Sequence, residues 1–157
     1  MKKSQIVALV LLVAASTLGS CCSCRKATKN HAPLKATEWK LEQIGASTVT
    51  SLLKENATPT LILAEDGSMG GNGGCNTFGG SFRIAPSEAP AHKNTTGEIA
   101  FSNVFSTKRY CLNDEVEMAY FSALGSIDSY TIDGNKLFLF SSGELKLVFV
   151  ASSASGE

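Results

Sequence analysis

The chain has 157 residues, and its 14 basic and 14 acidic side chains give a formal net charge of zero. It carries no basic stripe interleaved with aromatic residues, which argues against nucleic acid as a partner. Once an amino-terminal leader is set aside, the remaining length fits one domain with a single modest core.

The amino terminus has the pattern of an export signal. Two lysines near the start precede an apolar run over residues 6–18, which is too short to span a bilayer comfortably. The sequence Leu-Gly-Ser-Cys at residues 18–21 follows this run and resembles the lipobox of bacterial lipoproteins. In that family the cysteine receives a diacylglycerol, the leader is cut before it, and the new amino terminus is acylated. The resemblance predicts a signal peptide over residues 1–20 and lipidation at Cys21, with a plain secretory signal or an uncleaved anchor as alternatives.

The residues after Cys21 predict a tether, one domain and a tail. Residues 21–33 are polar and basic, residues 34–150 alternate apolar segments with turns, and residues 151–157 are small and polar. Cys22 in the second mature position is not the aspartate that the inner-membrane retention rule expects. We therefore expect a lipid-anchored protein of the cell envelope, held in the outer membrane and facing the periplasm.

Cys75 and Cys111 are the only two cysteines within the predicted domain. An exported chain can keep such a pair oxidised, and the bridge would add roughly 4 kcal/mol of stability in the chain-entropy model. Two separate buried thiols are the alternative. Cys22 and Cys24 have no second ligand pair at zinc-like spacing, so we expect no metal site.

Short apolar segments separated by turn residues predict a mainly β domain with antiparallel strands. Trp39, Leu41 and Gln43 are expected on one side of the first strand, and a short helical turn is expected around residues 51–55. The glycine-rich segment at residues 69–84 predicts two interrupted strands with bulges or close backbone contacts. The other predicted strands cover residues 39–44, 60–64, 98–105, 129–132, 136–140 and 144–150.

One helix is predicted after Cys111. Asn113 or Asp114 can cap it, Glu117 stands three residues after Asp114 as in a capping box, and Gly125 is a natural stop. Its apolar face, which we expect to lie on the sheet, consists of Val116, Tyr120, Ala123 and Leu124.

Four blocks of sequence, taken in order, resemble the META domain, also called the HslJ-like family of bacterial envelope proteins. They are the first strand with Trp39, Leu41 and Ile44, GNGGCNTFGGSF at residues 71–82, STKRYC at residues 106–111, and the helix with its trailing YTIDGNKLFL. The resemblance implies a small antiparallel, barrel-like β domain with one helix packed on the sheet. Relatives are often exported or lipidated and are linked to stress tolerance, motility or virulence. The resemblance implies no established reaction.

The expected function is that of a non-catalytic envelope lipoprotein. Its partners would be the membrane, through the lipid anchor, and an envelope protein that it binds or scaffolds, in connection with envelope stress. The alternative is a carrier or sensor of a hydrophobic ligand. Neither hypothesis requires a cofactor. The carrier would need an apolar cavity lined by Phe78, Phe82, Phe138 or Phe149.

Asn76, Thr107 and Arg109 form the candidate recognition motif. A bridge from Cys75 to Cys111 would bring the neighbourhoods of these three residues together. The competing interpretation, which we favour, is that Asn76 satisfies backbone groups in a crowded glycine hairpin.

Signals for catalysis, nucleotide binding or cation binding are weak. His31 lies in the tether and His92 in a loop, and neither has an evident partner for acid–base work. The glycine run at residues 70–74 lacks the Gly-Lys-Ser/Thr and the following helix of a phosphate loop. We expect no enzyme activity and no catalytic residues. The acidic residues that complement the helix dipole, and for which a cation site is the alternative, are Asp114, Glu115 and Glu117.

Overall fold

Nine antiparallel strands form one sheet in the computed structural model, which describes residues 31–53, 56–85 and 96–152. The strands are β1 (Glu38–Ile44), β2 (Ser47–Thr48), β3 (Thr60–Leu63), β4 (Ser68–Asn72), β5 (Thr77–Ile84), β6 (Thr96–Ser106), β7 (Ser129–Asp133), β8 (Lys136–Ser141) and β9 (Glu144–Ala151). A 3-10 helix at Val49–Ser51 stands close to the predicted helical turn, and α1 (Glu115–Leu124) is the predicted helix. Within the described ranges no helix has the length and apolar character needed to cross a membrane.

The sheet closes on itself. Each strand from β3 to β9 pairs with its neighbour in sequence, β1 pairs with β3 on one side and with β9 on the other, and β2 only extends β1. Eight strands therefore form a closed up-and-down barrel, which confirms the predicted barrel-like architecture. A barrel of eight strands is just wide enough for its interior to be filled by side chains.

The register of β1 departs from strict alternation at one point. Trp39 and Leu41 point into the core, and Leu41 pairs with Phe149. A bulge follows, and the next pair is Gln43 with Val148. Gln43 is half-buried, so the prediction that it shares the core face with Trp39 and Leu41 holds only up to the bulge.

The core combines the inner face of the barrel with the apolar face of α1. Trp39, Tyr120 and Phe149 are fully buried, and the Tyr120 ring contacts the rings of Phe78 and Phe149 edge to face. The indole Nε1 of Trp39 donates to the carbonyl of Leu34 at 3.0 Å, so its one polar atom is satisfied. The helix packs on the sheet as predicted.

The two ends of the barrel carry different structural elements. At one end, which we call the entry end, Ala32 N–H donates to the carbonyl of Gly134 in the β7–β8 turn at 2.8 Å, and Gly134 N–H donates to His31 Nδ1 at 2.9 Å. The opposite end, which we call the disulfide end, carries the β4–β5 turn, the residues after β6 and α1. Strand β6 joins the two, from Thr96 beside β7 to Ser106 beside Phe78.

Candidate functional site

The glycine-rich β4–β5 hairpin allows β3 and α1 to pack closely against it. A Cβ atom on Gly71 would collide with the carbonyl of Thr60 in β3. A Cβ on Gly73 would stand 2.6 Å from both Glu117 Oε1 and the ring of Phe121. These glycines are therefore required by close packing against β3 and α1, as the sequence suggested in general terms.

Glu117 connects α1 to this hairpin. Its Oε1 accepts hydrogen bonds from the backbone N–H groups of Cys75 at 3.2 Å and Asn76 at 2.6 Å, and its Oε2 accepts from Asn76 Nδ2 at 2.7 Å. The side chain is only 7% exposed. A buried carboxylate with three donors is stable without a cation, because hydrogen bonds replace its lost hydration.

The predicted capping box is wrong. Asp114 is the N-cap residue of α1 but forms no side-chain capping bond, and Glu117 reaches the β4–β5 hairpin instead of its own helix terminus. Gly125 follows the last helical residue as predicted, although its backbone is right-handed rather than the left-handed stop usual for glycine. The long-range contact of Glu117 replaces the local one because it satisfies buried backbone donors.

Asn76 occupies the centre of the disulfide end. Its Oδ1 accepts from Thr107 Oγ1 at 2.8 Å and from the backbone N–H of Arg109 at 2.7 Å. Its Nδ2 donates to Glu117 and, at 3.4 Å, to the carbonyl of Arg109. The amide therefore joins three segments of chain, and all its polar atoms have partners.

A disulfide between Cys75 and Cys111 covalently connects two of the three segments that Asn76 joins by hydrogen bonds. The two Cα atoms are 6.3 Å apart, and the residues are 36 positions apart in sequence. The predicted pairing is confirmed. Beyond it, Asn56 Nδ2 donates to the carbonyls of Leu112 at 3.4 Å and Asn113 at 2.6 Å, which fixes the chain after the bridge.

The three residues of the candidate recognition motif have different roles in the structure. The side chains of Asn76 and Thr107 meet in a partly buried hydrogen bond, as the proximity argument predicted. Arg109 enters that network through its backbone only, and its side chain is exposed. Cys21 and His92 lie outside the described residues, and His31 accepts a hydrogen bond at the entry end, far from the motif.

The aromatic residues proposed to line a ligand cavity do not share one surface. Phe78, Phe82 and Phe149 are buried in the core, but Phe138 alternates with the fully buried Leu137 and Leu139 and lies on the outer face of β8. Two surface concavities among the described residues, with volumes of about 650 and 410 Å³, are lined by other residues. Among the described residues, no group of three or more His, Cys, Asp or Glu side chains is arranged to hold a metal ion.

Burial raises the pKa of Tyr120 well above its ordinary value, and its hydroxyl donates to the carbonyl of Thr60 at 3.1 Å. The folded protein holds this proton more tightly than the unfolded chain, so the stabilisation is complete below the unfolded pKa of about 10. It is lost as the pH rises from there through the folded pKa. We expect Tyr120→Phe to cost about 1 kcal/mol at neutral pH, for the lost hydrogen bond, and to flatten the fall of Tm above about pH 10.

Thermal unfolding of both proteins at a series of alkaline pH values measures this effect. Tyr110→Phe is the matched control. Tyr110 is 90% exposed, so its replacement should leave the slope of Tm against alkaline pH unchanged. Equal alkaline slopes for Tyr120→Phe and the unmodified protein would contradict the prediction.

The geometry defines a class of protein: a small closed antiparallel β-barrel whose one helix is joined to a glycine-rich hairpin by a buried carboxylate and a nearby disulfide. The META domain family matches residues 32–154 of this chain. The chain belongs to the META domain family, and family and fold together support a binding or scaffolding role at the level of the family.

Several solved structures are similar to this chain, and the two determined by NMR agree with its fold. A protein from Burkholderia xenovorans, determined by NMR, is 23% identical, with a TM-score of 0.54 over 76% of this chain and 84% of its own. A second NMR structure is 17% identical, with a TM-score of 0.52 over 73% of this chain and 87% of its own. A DUF4847 family protein from Bacteroides vulgatus is 15% identical, with a TM-score of 0.47 over 75% of this chain and 93% of its own. The comparison with curated proteins found no match.

Proposed function

We propose that this META domain protein is a non-catalytic, lipid-anchored module of the bacterial cell envelope that binds or scaffolds another envelope component. One observation carries the non-catalytic part of the proposal. Three polar side chains at the disulfide end, those of Glu117, Asn76 and Thr107, are bonded to one another and to backbone groups. A catalytic side chain must offer a free polar atom to a substrate, and these atoms hold the fold together instead.

The position of the chain entry supports the anchored part. His31 and Ala32 are bonded to the β7–β8 turn, and Cys21 stands ten positions earlier in the sequence. Acyl chains on Cys21 would therefore tether the barrel to the membrane through its entry end. At about 0.8 kcal/mol per buried methylene, more than one chain makes such an anchor stable.

A cysteine substitution tests the anchor. We expect the unmodified protein to be recovered in the outer-membrane fraction, with a mature mass that begins at Cys21 and includes the acyl chains. Cys21→Ser should abolish the acyl mass and prevent cleavage before residue 21. Fractionation and intact mass spectrometry measure both effects.

The neighbouring cysteines provide matched controls for this experiment. Cys22→Ser and Cys24→Ser make the same chemical change one and three positions later and should leave the acyl mass and the fractionation unchanged. A Cys21→Ser protein that keeps the acyl mass would overturn the anchor. Recovery of the unmodified protein in the inner-membrane fraction would overturn only its assignment to the outer membrane.

The proposed link with envelope stress and the alternative of a hydrophobic-ligand carrier have their own measurements. A deletion strain should survive envelope-damaging conditions less well than the parent strain, and reintroducing the unmodified gene should restore its survival.

Native mass spectrometry of protein purified from cells should show the bare polypeptide mass plus the anchor. A further lipid bound in stoichiometric amount would favour the carrier.

A further inference from the structure

We propose that residues 107–112, which we call the display loop, form a docking surface for an acidic, apolar segment of another envelope protein. The inference rests on the proposed binding function and assigns a place and a partner chemistry to it. The loop follows β6 at the disulfide end and contains, in order, Thr107, Lys108, Arg109, Tyr110, Cys111 and Leu112.

The backbone of the display loop is fixed at several points along its length. Thr107 N–H donates to the carbonyl of Thr77 at 3.0 Å, and Arg109 N–H donates to Asn76 Oδ1 at 2.7 Å. Cys111 is bonded covalently to Cys75, and the carbonyl of Leu112 accepts from Asn56. A loop held in this way loses little conformational entropy when a partner binds, which is the main advantage of a preorganised site.

The side chains of the same loop are largely free in solvent. Tyr110 is 90% exposed and Leu112 is 70% exposed, although both are large and apolar. Tyrosine and arginine are enriched among the residues that contribute most to protein–protein binding. A rigid backbone that presents exposed Arg109, Tyr110 and Leu112 side chains therefore has the composition of an interface.

Charge identifies the chemistry of the partner. Lys108 and Arg109 are adjacent and exposed, and neither forms an ion pair with another described residue. Elsewhere in the described chain, lysines at positions 35, 136 and 146 pair with glutamates. Carboxylates on a partner would complement the two cations, and an arginine can bind a carboxylate with two parallel hydrogen bonds.

The position of the loop favours a protein over the anchoring membrane. The chain enters at the β7–β8 turn, and the display loop lies beyond the other end of β6. The 11 residues of β6 span roughly 30 Å along the strand. Because the barrel would be tethered through its entry end, the display loop at the opposite end is left accessible to other proteins of the compartment.

Site-specific crosslinking in intact cells tests the proposal with the full-length, anchored protein. A benzophenone amino acid is placed at position 110, where it replaces one aromatic side chain by another, and at position 135 in the entry-end turn as a control. We expect a discrete protein adduct from position 110 and not from position 135. Mass spectrometry of the adduct should show a crosslinked partner segment that contains aspartate or glutamate beside apolar residues.

Charge reversal supplies the quantitative part of the test. Lys108→Glu with Arg109→Glu should reduce the adduct from position 110 by ~10-fold or more, because two attractive contacts become repulsive. Lys40→Glu with Arg83→Glu makes the same change in net charge at exposed positions on β1 and β5 and should leave the adduct unchanged. Equal Tm values and equal membrane recovery establish that each variant is folded and anchored.

Several outcomes would overturn the docking surface. These are the absence of an adduct from position 110, an adduct equally reduced by both charge reversals, a crosslinked segment without carboxylates, or an adduct to phospholipid. The phospholipid result would assign the loop to a membrane surface instead. None of these outcomes bears on the proposed anchor at Cys21, because the anchor is tested separately by the acyl mass.

Discussion

Glu117→Ala is expected to lower the free energy of unfolding by about 3 kcal/mol or more, because it leaves buried donors without an acceptor. The backbone N–H groups of Cys75 and Asn76 and the Nδ2 of Asn76 all donate to this carboxylate. The desolvation cost that the carboxylate no longer incurs offsets only part of the loss, since an unpaired buried donor costs about 1–3 kcal/mol each. Urea unfolding at neutral pH, followed by the midpoint and slope of the transition, measures the change.

Two variants separate this effect from a general effect of acidic residues on the helix. Glu115→Ala removes an exposed acid two positions earlier in the same helix and should change stability by less than about 0.5 kcal/mol. Glu117→Gln keeps one acceptor oxygen for the backbone donors but places an NH₂ group opposite the Asn76 amide, so we expect an intermediate loss. A Glu117→Ala protein as stable as the Glu115→Ala protein would show that the network contributes little.

Glu117 also shows where prediction from sequence stops. Its spacing from Asp114 fits a capping box, and that local pattern is what a single sequence displays most clearly. The actual partners of Glu117 lie 41 and 42 positions away, in a hairpin whose position depends on closure of the barrel. One signal was available: Glu117 stands three residues before Tyr120 and seven before Leu124, on the face that becomes buried. An acid within an apolar stripe indicates a buried polar contact, although not its partner.

The positions of the strands were easier to predict than the exact faces of their residues. Alternation and turn residues located β1, β3 and the last three strands, because those signals are local. The run Leu137-Phe138-Leu139-Phe140 is apolar on both faces, so its pattern does not say which pair faces inward. Pairing with β7 and β9 decides it, with Leu137 and Leu139 inside. Phe138 could not have been excluded as a cavity residue without that register.

The candidate site was predicted in part. The number and position of the cysteines favoured a bridge between Cys75 and Cys111 over two separate thiols, and the bridge correctly placed Asn76 near Thr107. The participation of Arg109 through its backbone N–H could not be inferred, since residue identity carries no information about a main-chain donor. The sequence therefore identified the residues that meet at the disulfide end but not the atoms through which they bond.

Removal of the disulfide is the second large expected effect. Cys75→Ala with Cys111→Ala opens a loop of 36 positions and should lower the free energy of unfolding by roughly 4 kcal/mol in the chain-entropy model. Denaturant unfolding without reductant measures the loss. Cys22→Ser with Cys24→Ser, which changes two cysteines that precede the predicted domain in the sequence, should have no effect on the same transition.

The hydrogen-bond network predicts that the display loop stays docked in the disulfide-free protein. Asn76 Oδ1 still accepts from Arg109 N–H and Thr107 Oγ1, and Asn76 itself is held by Glu117. Hydrogen exchange should therefore find the Arg109 amide protected after the bridge is removed and unprotected once Asn76→Ala is added. If the amide exchanges as an open loop as soon as the bridge is lost, the covalent bond alone orders the display loop. Protection retained in both variants, as in the unmodified protein, would instead mean that neither connection orders it.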